Sequence, residues 1–344
     1  MARAKNSTFR IGTELIQPGE HRVVNLEMPG LYTMQGGLNM AVHVINGKLE
    51  GPRLFICAAI HGNEINGVEI IRSLFRKRGI KKLKGTLIAI PIVNVFGIIQ
   101  HSRYLPDGRD LNRSFPGTES GSLASRLAKT FTDEIINQST HGIDLHTAGG
   151  HRTNLPQIRA DLSTQGTLDM AKAFGVPVIV DSPLRDGSLR ATAGDAGLPL
   201  LVYEAGEALR FDVFSINTGV KGIISVMRYL DMLPKSRSRK QVIEPYLADS
   251  SKWVRAPANG ILNIHKELGE RVRQGEKIGF VSDPSDMFVD QKVEFFAPFD
   301  GIVIGHTKVP LVNEGDAIFH IASFANAKEV AAELETFQEE ILDV

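Results

Sequence analysis

Between about residues 40 and 230, the sequence alternates short runs of β-branched and other apolar residues with longer segments of helical period. Such alternation is typical of an α/β sheet with helices on its faces. The candidate strands are Leu54 to Ile60, Thr86 to Val93, Ile143 to His146, Pro177 to Val180 and Pro199 to Glu204. Helical spacing relates Leu123, Leu127, Phe131 and Ile135, and a longer helix is expected from Val213 to Leu230.

A second pattern lies downstream, where two stretches carry nearly the same letters. Residues 256–262 are APANGIL, and residues 297–303 are APFDGIV. Each copy predicts a strand, a tight turn and a second strand, and neither copy is large enough to bury a core alone. The sequence therefore predicts a small pseudo-symmetric all-β unit in which the two copies pack against each other.

This repeat resembles the biotinyl/lipoyl-type β-sandwich, in which two such halves interlock. In carrier members of that fold, a lysine on the hairpin between the halves bears the prosthetic group, eight residues before the second Ala-Pro proline. Asp290 stands at that position here, and Lys292 is out of register. The resemblance therefore implies a fold reused as a lid or spacer rather than as a swinging arm.

The segment PKSRSRKQ, at residues 234–241, is polar and basic and follows a proline, so it predicts a linker between the two patterns. We therefore divide the chain into an α/β domain (1–245), a β-sandwich domain (246–325) and a C-terminal helix (326–344). The helix is expected because apolar residues recur on one face, which would pack on its own chain or on another subunit. Those residues are Val330, Leu334, Phe337 and Ile341.

Composition excludes several classes of protein. The 39 Lys and Arg residues balance 39 Asp and Glu residues, so no excess positive charge is available for nucleic acid or an anionic membrane surface. The single cysteine, Cys57, excludes an intrachain disulfide and is too few for a zinc-thiolate site. Without a secretory signal or a long apolar stretch, the sequence predicts a cytoplasmic protein with no nucleic-acid or membrane partner. It leaves open whether the chain forms a homo-oligomer.

Because the chain has only one cysteine, any bound metal must be held mainly by nitrogen and oxygen ligands. The sequence HGNE places His61 and Glu64 directly after an apolar candidate strand. Catalytic zinc often takes two histidines and one glutamate, and His146, in the sequence IDLHT, supplies a third candidate ligand. Because sites in open α/β sheets assemble at the carboxyl ends of strands, these residues can converge, with Asp144 as a supporting carboxylate. The alternative for His146 is a core histidine with satisfied hydrogen bonds.

Two further segments contribute charged residues that are expected near the candidate metal ligands. RYLPDGRDLNRSFPG, at residues 103–117, predicts a loop with three arginines, which either bind carboxylates and oxyanions or form a solvated surface. The apolar strand LLVYEAG ends in Glu204, which is either a surface residue or a base aimed into the site. Partial desolvation would raise the pKa of such a base into the useful range.

The strings HGNE, RYLPDGRDLNRSFPG, DLHT and YEAG together resemble the succinylglutamate desuccinylase/aspartoacylase family, relatives of the zinc carboxypeptidases. The resemblance covers residues 40–230 and extends to the C-terminal β unit, which family members also carry. It implies an α/β fold with a zinc-carboxypeptidase-like mixed sheet flanked by helices. It also implies one Zn²⁺ per chain, bound by His61, Glu64 and His146.

The same resemblance implies roles for four other residues. Glu204 matches the general base and proton shuttle, and Arg103 matches the arginine that polarises the scissile carbonyl. Asn112 and Arg113 match the pair that grips a substrate carboxylate. The implied activity is removal of an acetyl- or succinyl-type group from a small-molecule N-acyl amino acid by metal-activated water.

The substrate itself stays open at this stage. Aspartoacylase places a tyrosine from its C-terminal region in the substrate pocket, and no tyrosine follows Tyr246 here. A zinc carboxypeptidase acting on peptides is one alternative, although the family's β unit covers the cleft and admits only small acylated amino acids. A non-catalytic metal-binding or carrier protein is an alternative of another class, which the missing in-register lysine and the complete ligand set disfavour.

Overall fold

The structure is a computed structural model that describes residues 4–30, 37–235, 245–285 and 291–342. The strands in these ranges are β1 (Phe9–Ile11), β2 (Glu14–Ile16), β3 (His21–Glu27), β4 (Asn39–Asn46), β5 (Arg53–Ala58), β6 (Thr86–Ile90), β7 (His141–Ala148), β8 (Arg152–Ala160), β9 (Val178–Asp181), β10 (Leu200–Glu207), β11 (Tyr246–Ala248), β12 (Ser250–Arg255), β13 (Gly260–Ile264), β14 (Arg271–Val272), β15 (Lys277–Ser282), β16 (Lys292–Phe296), β17 (Gly301–Thr307), β18 (Leu311–Val312) and β19 (Ala317–Ser323). The α-helices are α1 (Asn66–Phe75), α2 (Val95–Ile99), α3 (Leu123–Glu134), α4 (Thr167–Phe174), α5 (Leu189–Asp195), α6 (Val213–Tyr229) and α7 (Ala327–Leu342).

A mixed sheet of thirteen strands runs through the described parts of the chain, in the order β12-β19-β17-β8-β10-β7-β5-β6-β4-β3 with β9, β11 and β14 paired alongside. The strands β6, β5, β7 and β10 are parallel neighbours, whereas β4 runs antiparallel to β6 and β8 runs antiparallel to β10. The parallel strands β5 and β6 consist mainly of apolar residues buried on both faces, as expected for central strands. The predicted mixed α/β fold is confirmed.

Helices cover both faces of this sheet. On one face, α3 and α5 enclose a core that includes the four residues predicted to share a helical face, Leu123 to Ile135. On the other face, α1, α4 and α6 pack over a second core that contains Ile70, Phe174 and Ile223. Among the described residues, no helix is both long enough and apolar enough to span a bilayer.

The strand β8 is absent from the sequence prediction because RTNLPQIRA is largely polar and contains Pro156, which has no N–H for a sheet ladder. In the structure, residues 152–154 pair with β17, and residues 157–160 pair with β9. Pro156 lies between these two partners, where its missing N–H leaves no ladder bond unmade. The strand β8 therefore connects the α/β sheet to the C-terminal unit.

The two sequence copies of the C-terminal unit exchange strands. The strand β14 of the first copy pairs Val272 with Gly301 of the second, and β18 of the second copy pairs Val312 with Gly260 of the first. This reciprocal pairing is what a pseudo-symmetric repeat predicts. Because β17 also pairs with β8, the unit shares a hydrogen-bonded sheet with the α/β part, and the division into 1–245 and 246–325 stays a prediction. Asp290 lies outside the described residues.

The helix α7 packs on its own chain. Its predicted apolar residues are buried, with Val330 and Leu334 in a core that includes Ile302 of β17. The ring of Phe337 meets that of Phe214 in α6 edge to face, with centroids 5.8 Å apart. Of the two packings that the sequence leaves open, the structure therefore contains the intrachain one.

Candidate active site

The residues His61, Glu64 and His146 meet at the carboxyl ends of the neighbouring parallel strands β5 and β7. Immediately after β5, Ala59 adopts a φ of 52°, which turns the chain out of the strand and toward the cluster. One ligand atom from each of the three residues lies within 4.8 Å of the others. All three side chains are buried. The structure thus brings together the residues that the sequence predicts as metal ligands.

The glycine within HGNE allows this turn to pack closely. A Cβ on Gly62 would lie 2.1 Å from the carbonyl carbon of Gly97 in α2, a distance no real contact tolerates. The turn is closed by the Glu64 N–H, which donates to the His61 carbonyl at 3.0 Å. Glycine at this position therefore lets His61 and Glu64 sit on one turn beneath α2.

The ring nitrogens of the two histidines face different partners. Both Nδ1 atoms face Glu64, at 2.8 Å from Oε1 for His61 and 2.8 Å from Oε2 for His146. On the far side of each ring, His61 Nε2 lies 3.1 Å from Asp110 Oδ1, and His146 Nε2 lies 2.7 Å from Asp144 Oδ2. Metal-ligating histidines usually donate their other N–H to a carboxylate in this way, which leaves Nδ1 free to bind the metal.

One buried ring nitrogen in the cluster lacks a hydrogen-bond partner. His61 Nδ1 is buried and has no hydrogen-bond partner of adequate geometry, although Glu64 Oε1 is 2.8 Å away. Buried polar atoms without a partner are uncommon. This atom faces the Glu64 carboxylate, toward which His146 Nδ1 is also directed. Two imidazole nitrogens and a carboxylate are a donor set that Zn²⁺ prefers, so the residues present fit that ion.

The Glu64 carboxylate is held from several sides. It accepts a hydrogen bond from the Thr147 N–H at 3.1 Å and another from Arg103 Nη1 at 3.1 Å. Burial alone would raise the pKa of Glu64, but attraction to His61 and His146 lowers that pKa far below its ordinary value. Glu64 is therefore ionised at every physiological pH and available as an anionic ligand.

In the metal-free protein the two histidines bind protons tightly. Burial alone would lower the pKa of His61, but the Glu64 charge and the hydrogen bond to Asp110 raise it overall. The pKa of His146 is raised further, because Asp144 and Glu64 outweigh its burial. A metal ion must therefore displace protons from these rings to bind.

Cys57 has a polar contact that the sequence does not predict. It is fully buried, as expected for a small apolar residue, but its thiol also donates to Asp144 Oδ1 at 3.3 Å. Cys57 and Asp144 are register partners on β5 and β7. The two oxygens of Asp144 are thus shared between the Cys57 thiol and His146, which fixes the orientation of the imidazole ring.

Glu204 lies in the same site. The register of the parallel strands β10 and β7 pairs Glu204 directly with His146. Asn154 Nδ2 donates to Glu204 Oε2 at 3.0 Å, and the Glu204 side chain lines the cavity that contains the cluster. Of the two alternatives for this residue, the structure favours a carboxylate facing the site over a surface cap.

The cavity has a volume of about 750 Å³ and is open to solvent on one side. Arg103, Asn112 and Arg113 from the predicted arginine loop line it. Asn112 Oδ1 accepts a hydrogen bond from the Leu189 N–H at 2.9 Å, which anchors the loop to the first turn of α5. The C-terminal unit contributes Trp253 to the wall, so both parts of the chain form the site.

Sequence reasoning missed two of the supporting contacts. Asp110 lies in the arginine loop, but nothing in the sequence pairs it with His61, 49 residues away. Asn154, the partner of Glu204, lies on β8, the strand that the sequence does not predict. Both contacts depend on long-range packing, for which a single sequence carries no local signal.

Several known proteins are similar to this chain. A family profile described as the succinylglutamate desuccinylase/aspartoacylase catalytic domain matches residues 50–230. The N-alpha-acetyl-L-2,4-diaminobutyric acid deacetylase of Halomonas elongata is 28% identical over 313 residues, or 88% of this chain and 91% of that protein.

Solved structures show the same fold. The crystal structure of a succinylglutamate desuccinylase/aspartoacylase from Rhodobacter sphaeroides has a TM-score of 0.77 and 25% identity, covering 88% of this chain and 96% of that one. The product-bound structure of the ectoine utilization protein EutE (DoeB) from Ruegeria pomeroyi has a TM-score of 0.77 and 23% identity. The match covers 88% of this chain and 94% of that one.

The mixed sheet, the buried His-Glu-His cluster and these relatives define the class of the protein as a hydrolase that acts on amide bonds. The family profile spans more than half of the 344 residues. The chain belongs to the succinylglutamate desuccinylase/aspartoacylase family.

Proposed function

We propose that this protein is a zinc-dependent amidohydrolase that removes an acetyl- or succinyl-type acyl group from an N-acyl amino acid. The observation that carries the proposal is the convergence of two histidine Nδ1 atoms on the Glu64 carboxylate, each ring oriented by a carboxylate on its far side. A partly exposed carboxylate, Glu204, lines the same cavity. The deacetylase activity named for the Halomonas elongata relative agrees with this chemistry.

His61, Glu64 and His146 would hold one Zn²⁺ per chain and leave a fourth position for water or substrate. When bound, the ion supplies Lewis acidity, which makes water acidic enough to lose a proton near neutral pH and polarises a carbonyl. The carboxylates of Asp110 and Asp144 keep the two imidazole rings in the tautomer that binds metal.

The chain's own residues perform the proton transfers and the positioning. Glu204 takes a proton from the attacking water, whose oxygen bonds to the carbonyl carbon of the amide, and later returns that proton to the departing nitrogen. Arg103 stabilises the negative charge that develops on the carbonyl oxygen. Cleavage of the C–N bond then yields a carboxylic acid and a free amino acid.

Asn112 and Arg113 would bind the substrate carboxylate. The Asn112 side-chain oxygen accepts from the Leu189 N–H, which leaves the amide N–H groups of this cavity-lining residue to donate to a ligand. Arg113 lines the cavity, and its Nη1 donates to the Asn112 backbone carbonyl. It forms no ion pair with any described residue, so its charge is available to an anion. A guanidinium and an amide together match the geometry of a carboxylate.

The C-terminal unit would serve as a lid or spacer of biotinyl/lipoyl-like type on a zinc-carboxypeptidase-like catalytic domain at 1–245. Its reciprocal strand exchange and its contribution of Trp253 to the cavity support this role. A cytoplasmic location and the absence of nucleic-acid and membrane partners belong to the same proposal, on the balanced charge of the chain. The proposal holds for a monomer or a homo-oligomer.

Elemental analysis of the purified protein, followed by a screen of N-acetyl and N-succinyl amino acids beside short peptides, tests the proposal. We expect one zinc per chain and release of a free amino acid from an N-acyl substrate. Hydrolysis of peptide C-termini alone would instead identify a carboxypeptidase. A protein that binds no divalent metal at all would contradict the proposal.

Replacing Arg113 with glutamine is expected to raise KM for the preferred N-acyl amino acid with a smaller effect on kcat. The physical reason is that a grip on the carboxylate acts on the ground state and the transition state alike. Loss of a hydrogen bond to a charged group corresponds to an increase of about 10- to 100-fold in KM. Steady-state kinetics measures both constants, and a loss confined to kcat would assign Arg113 a different role.

Zinc binding is expected to tighten as pH rises from 6 to 8. The pKa values of His61 and His146 are raised in the metal-free protein, so zinc must displace protons that become easier to remove as pH rises. Affinity should increase about tenfold per pH unit for each proton released. Titration calorimetry in buffers of different ionisation enthalpy counts those protons, and an absence of proton release would contradict the expectation.

The raised pKa values of His61 and His146 also predict how the stability of the metal-free protein depends on pH. A histidine whose folded pKa is raised stabilises the fold below its unfolded pKa of about 6.5, and that stabilisation is lost as pH rises through the folded pKa. The difference in Tm between the zinc-loaded and metal-free protein should therefore widen with pH. Thermal melts at several pH values measure it, and a constant or narrowing difference would refute the linkage.

A further inference from the structure

A second pocket, with a volume of about 360 Å³, lies on the opposite face of the sheet from the active-site cavity. In β8, Asn154 donates to Glu204 in that cavity, and successive residues of a strand point to opposite faces, so Thr153 points away from it. Register pairs Thr153 with His306 of β17, and directly opposed residues share a face. Thr153, His306 and Glu267 line this second pocket, which we call the rear pocket. Of the described residues that line it, none also lines the active-site cavity.

The imidazole ring of His306 has a fixed tautomer. Its Nδ1 lies 2.9 Å from the Thr307 backbone carbonyl, and a carbonyl oxygen can only accept, so Nδ1 carries a hydrogen. In the neutral ring, Nε2 then holds the lone pair and can accept a hydrogen bond or bind a metal. Histidines that bind a metal usually donate the N–H of their other ring nitrogen in this way, often to a backbone carbonyl.

The Nε2 atom of His306 has no hydrogen-bond partner among the described residues. The His306 side chain is only 1% exposed, so bulk water does not surround this atom. Because buried polar atoms are almost always paired, an unpaired lone pair that borders a pocket indicates a ligand that carries a positive charge or a hydrogen.

A carboxylate oxygen stands opposite this nitrogen. Glu267 Oε2, on the loop between β13 and β14, lies 3.5 Å from His306 Nε2. A hydrogen bond between a protonated imidazole and a carboxylate spans about 2.7–2.9 Å, so this separation is too long for one. Two ligand atoms bound to one Zn²⁺ at about 2.0–2.1 Å in tetrahedral geometry lie about 3.3–3.4 Å apart. The separation therefore fits a shared metal ion better than a shared proton.

The charges around the rear pocket also favour a cation. Three carboxylates line it, those of Glu207, Asp212 and Glu267, against the two cationic side chains of Arg210 and Lys308. One negative charge is therefore in excess when His306 is neutral. Such an excess attracts cations into the pocket.

The fold holds the two candidate ligands close together. The loop that carries Glu267 is tied to β17 by two backbone hydrogen bonds: the Gly269 N–H donates to the Val303 carbonyl at 2.8 Å, and the Val303 N–H donates to the Glu270 carbonyl at 3.0 Å. His306 lies three residues further along β17. The two ligands therefore need little rearrangement to share an ion.

We propose that His306 Nε2 and the Glu267 carboxylate form a second metal site, which takes a divalent transition-metal ion of the zinc type. Imidazole nitrogen and carboxylate oxygen together suit such ions. Among the described residues, only His61, Glu64 and His146 form a group of three clustered ligands, so water completes the coordination at the rear site. The rear site therefore binds its ion more weakly than the cluster does. This inference is independent of the proposed function, because neither ligand lines the active-site cavity.

Equilibrium dialysis of tag-free protein against Zn²⁺, followed by elemental analysis, counts the sites. Because the rear site is weaker, purified protein is expected to carry one ion and to take up the second only when zinc is added. His146→Ala, which removes the first site, should retain no zinc through purification and bind one ion at saturating zinc. Adding Glu267→Gln to His146→Ala should remove that ion. The Glu267 side chain is 70% exposed, so this change does not disturb the core.

Affinity for the second ion is expected to fall at least about tenfold in Glu267→Gln and in His306→Gln. Loss of a residue that merely orients a ligand already lowers metal affinity by about 10- to 100-fold, and these two residues are the ligands themselves. Titration with Co²⁺ in the His146→Ala background supplies a second readout, because the visible absorption of bound Co²⁺ should disappear with either substitution. Unchanged Co²⁺ absorption in both variants would contradict the assignment.

Two controls distinguish this site from the general affinity of surface groups for zinc. Glu314→Gln removes an exposed carboxylate of the same unit, and His265→Gln removes an exposed histidine two residues from Glu267. Neither residue lines the rear pocket, so both variants should keep the second ion. A loss in either control as large as that in Glu267→Gln would overturn the proposal.

The outcomes separate the rear site from the proposed function. A single ion per chain that is lost in His146→Ala and kept in Glu267→Gln and His306→Gln would overturn the rear site and leave the proposed function standing. A single ion that persists in His146→Ala and is lost in Glu267→Gln would support the rear site and count against the proposed function.

Discussion

Replacing Glu204 with glutamine is expected to lower kcat by about 100- to 10,000-fold, the range for loss of a general acid-base group. Glutamine keeps the shape of the side chain and an oxygen that can accept the hydrogen bond from Asn154. It cannot take a proton from water, so the loss should appear in kcat, with KM nearly unchanged. Steady-state kinetics with zinc analysis of the same sample makes the measurement.

Zinc content should stay at the wild-type level in Glu204→Gln, because Glu204 is not one of the three clustered ligands. Glu207→Gln is the matched control: it removes a carboxylate from the same strand, three residues on, that does not line the cavity. Near-normal kcat in Glu204→Gln would show that another group moves the proton.

Replacing His146 with alanine is expected to abolish both zinc binding and turnover. Losing a residue that merely orients a ligand typically lowers metal affinity by about 10- to 100-fold, and losing a direct ligand should exceed this. The change also leaves the buried Asp144 carboxylate with the Cys57 thiol as its one side-chain partner among the described residues, and breaking such a pair costs about 3–5 kcal/mol. Zinc stoichiometry, thermal melts and activity at added zinc measure the three effects.

Two variants sharpen this test. Asp144→Asn keeps the ligand but weakens its orientation, so its zinc affinity should fall between those of the wild type and His146→Ala. His21→Ala removes an exposed histidine of β3, far along the sheet order from β7, and should retain full zinc and activity. Full zinc occupancy in His146→Ala would remove His146 from the ligand set.

The candidate ligands could be predicted because each lies beside a strong local signal. His61 and His146 follow or end apolar strands, and the rule that sites form at the carboxyl ends of parallel strands then brings them together. Glu204 also ends an apolar strand, β10, but the sequence leaves a surface residue and a base in the site as alternatives, and only the family resemblance implies the base. The internal repeat likewise predicts that its two copies pack against each other, and the structure pairs β13 with β18 and β14 with β17 between them.

The supporting contacts could not be predicted. Asp110 meets His61 only after a long loop folds back, and Cys57 meets Asp144 only through the register of two strands. In the sequence, β8 resembles a loop because it contains a proline. The fold tolerates this proline because it lies between the part of β8 that pairs with β17 and the part that pairs with β9. The contact between Arg159 and His320 likewise joins residues 161 positions apart.

The α/β class, the repeat and the residues able to bind a metal follow from the sequence, because hydrophobic period and side-chain chemistry are local properties of neighbouring positions. The orientation of the histidine rings, the set of arginines that line the cavity and the wall formed by the C-terminal unit follow only from the folded chain. These features depend on strand register and on contacts between distant residues, where a shift of one position turns a side chain to the opposite face of the sheet.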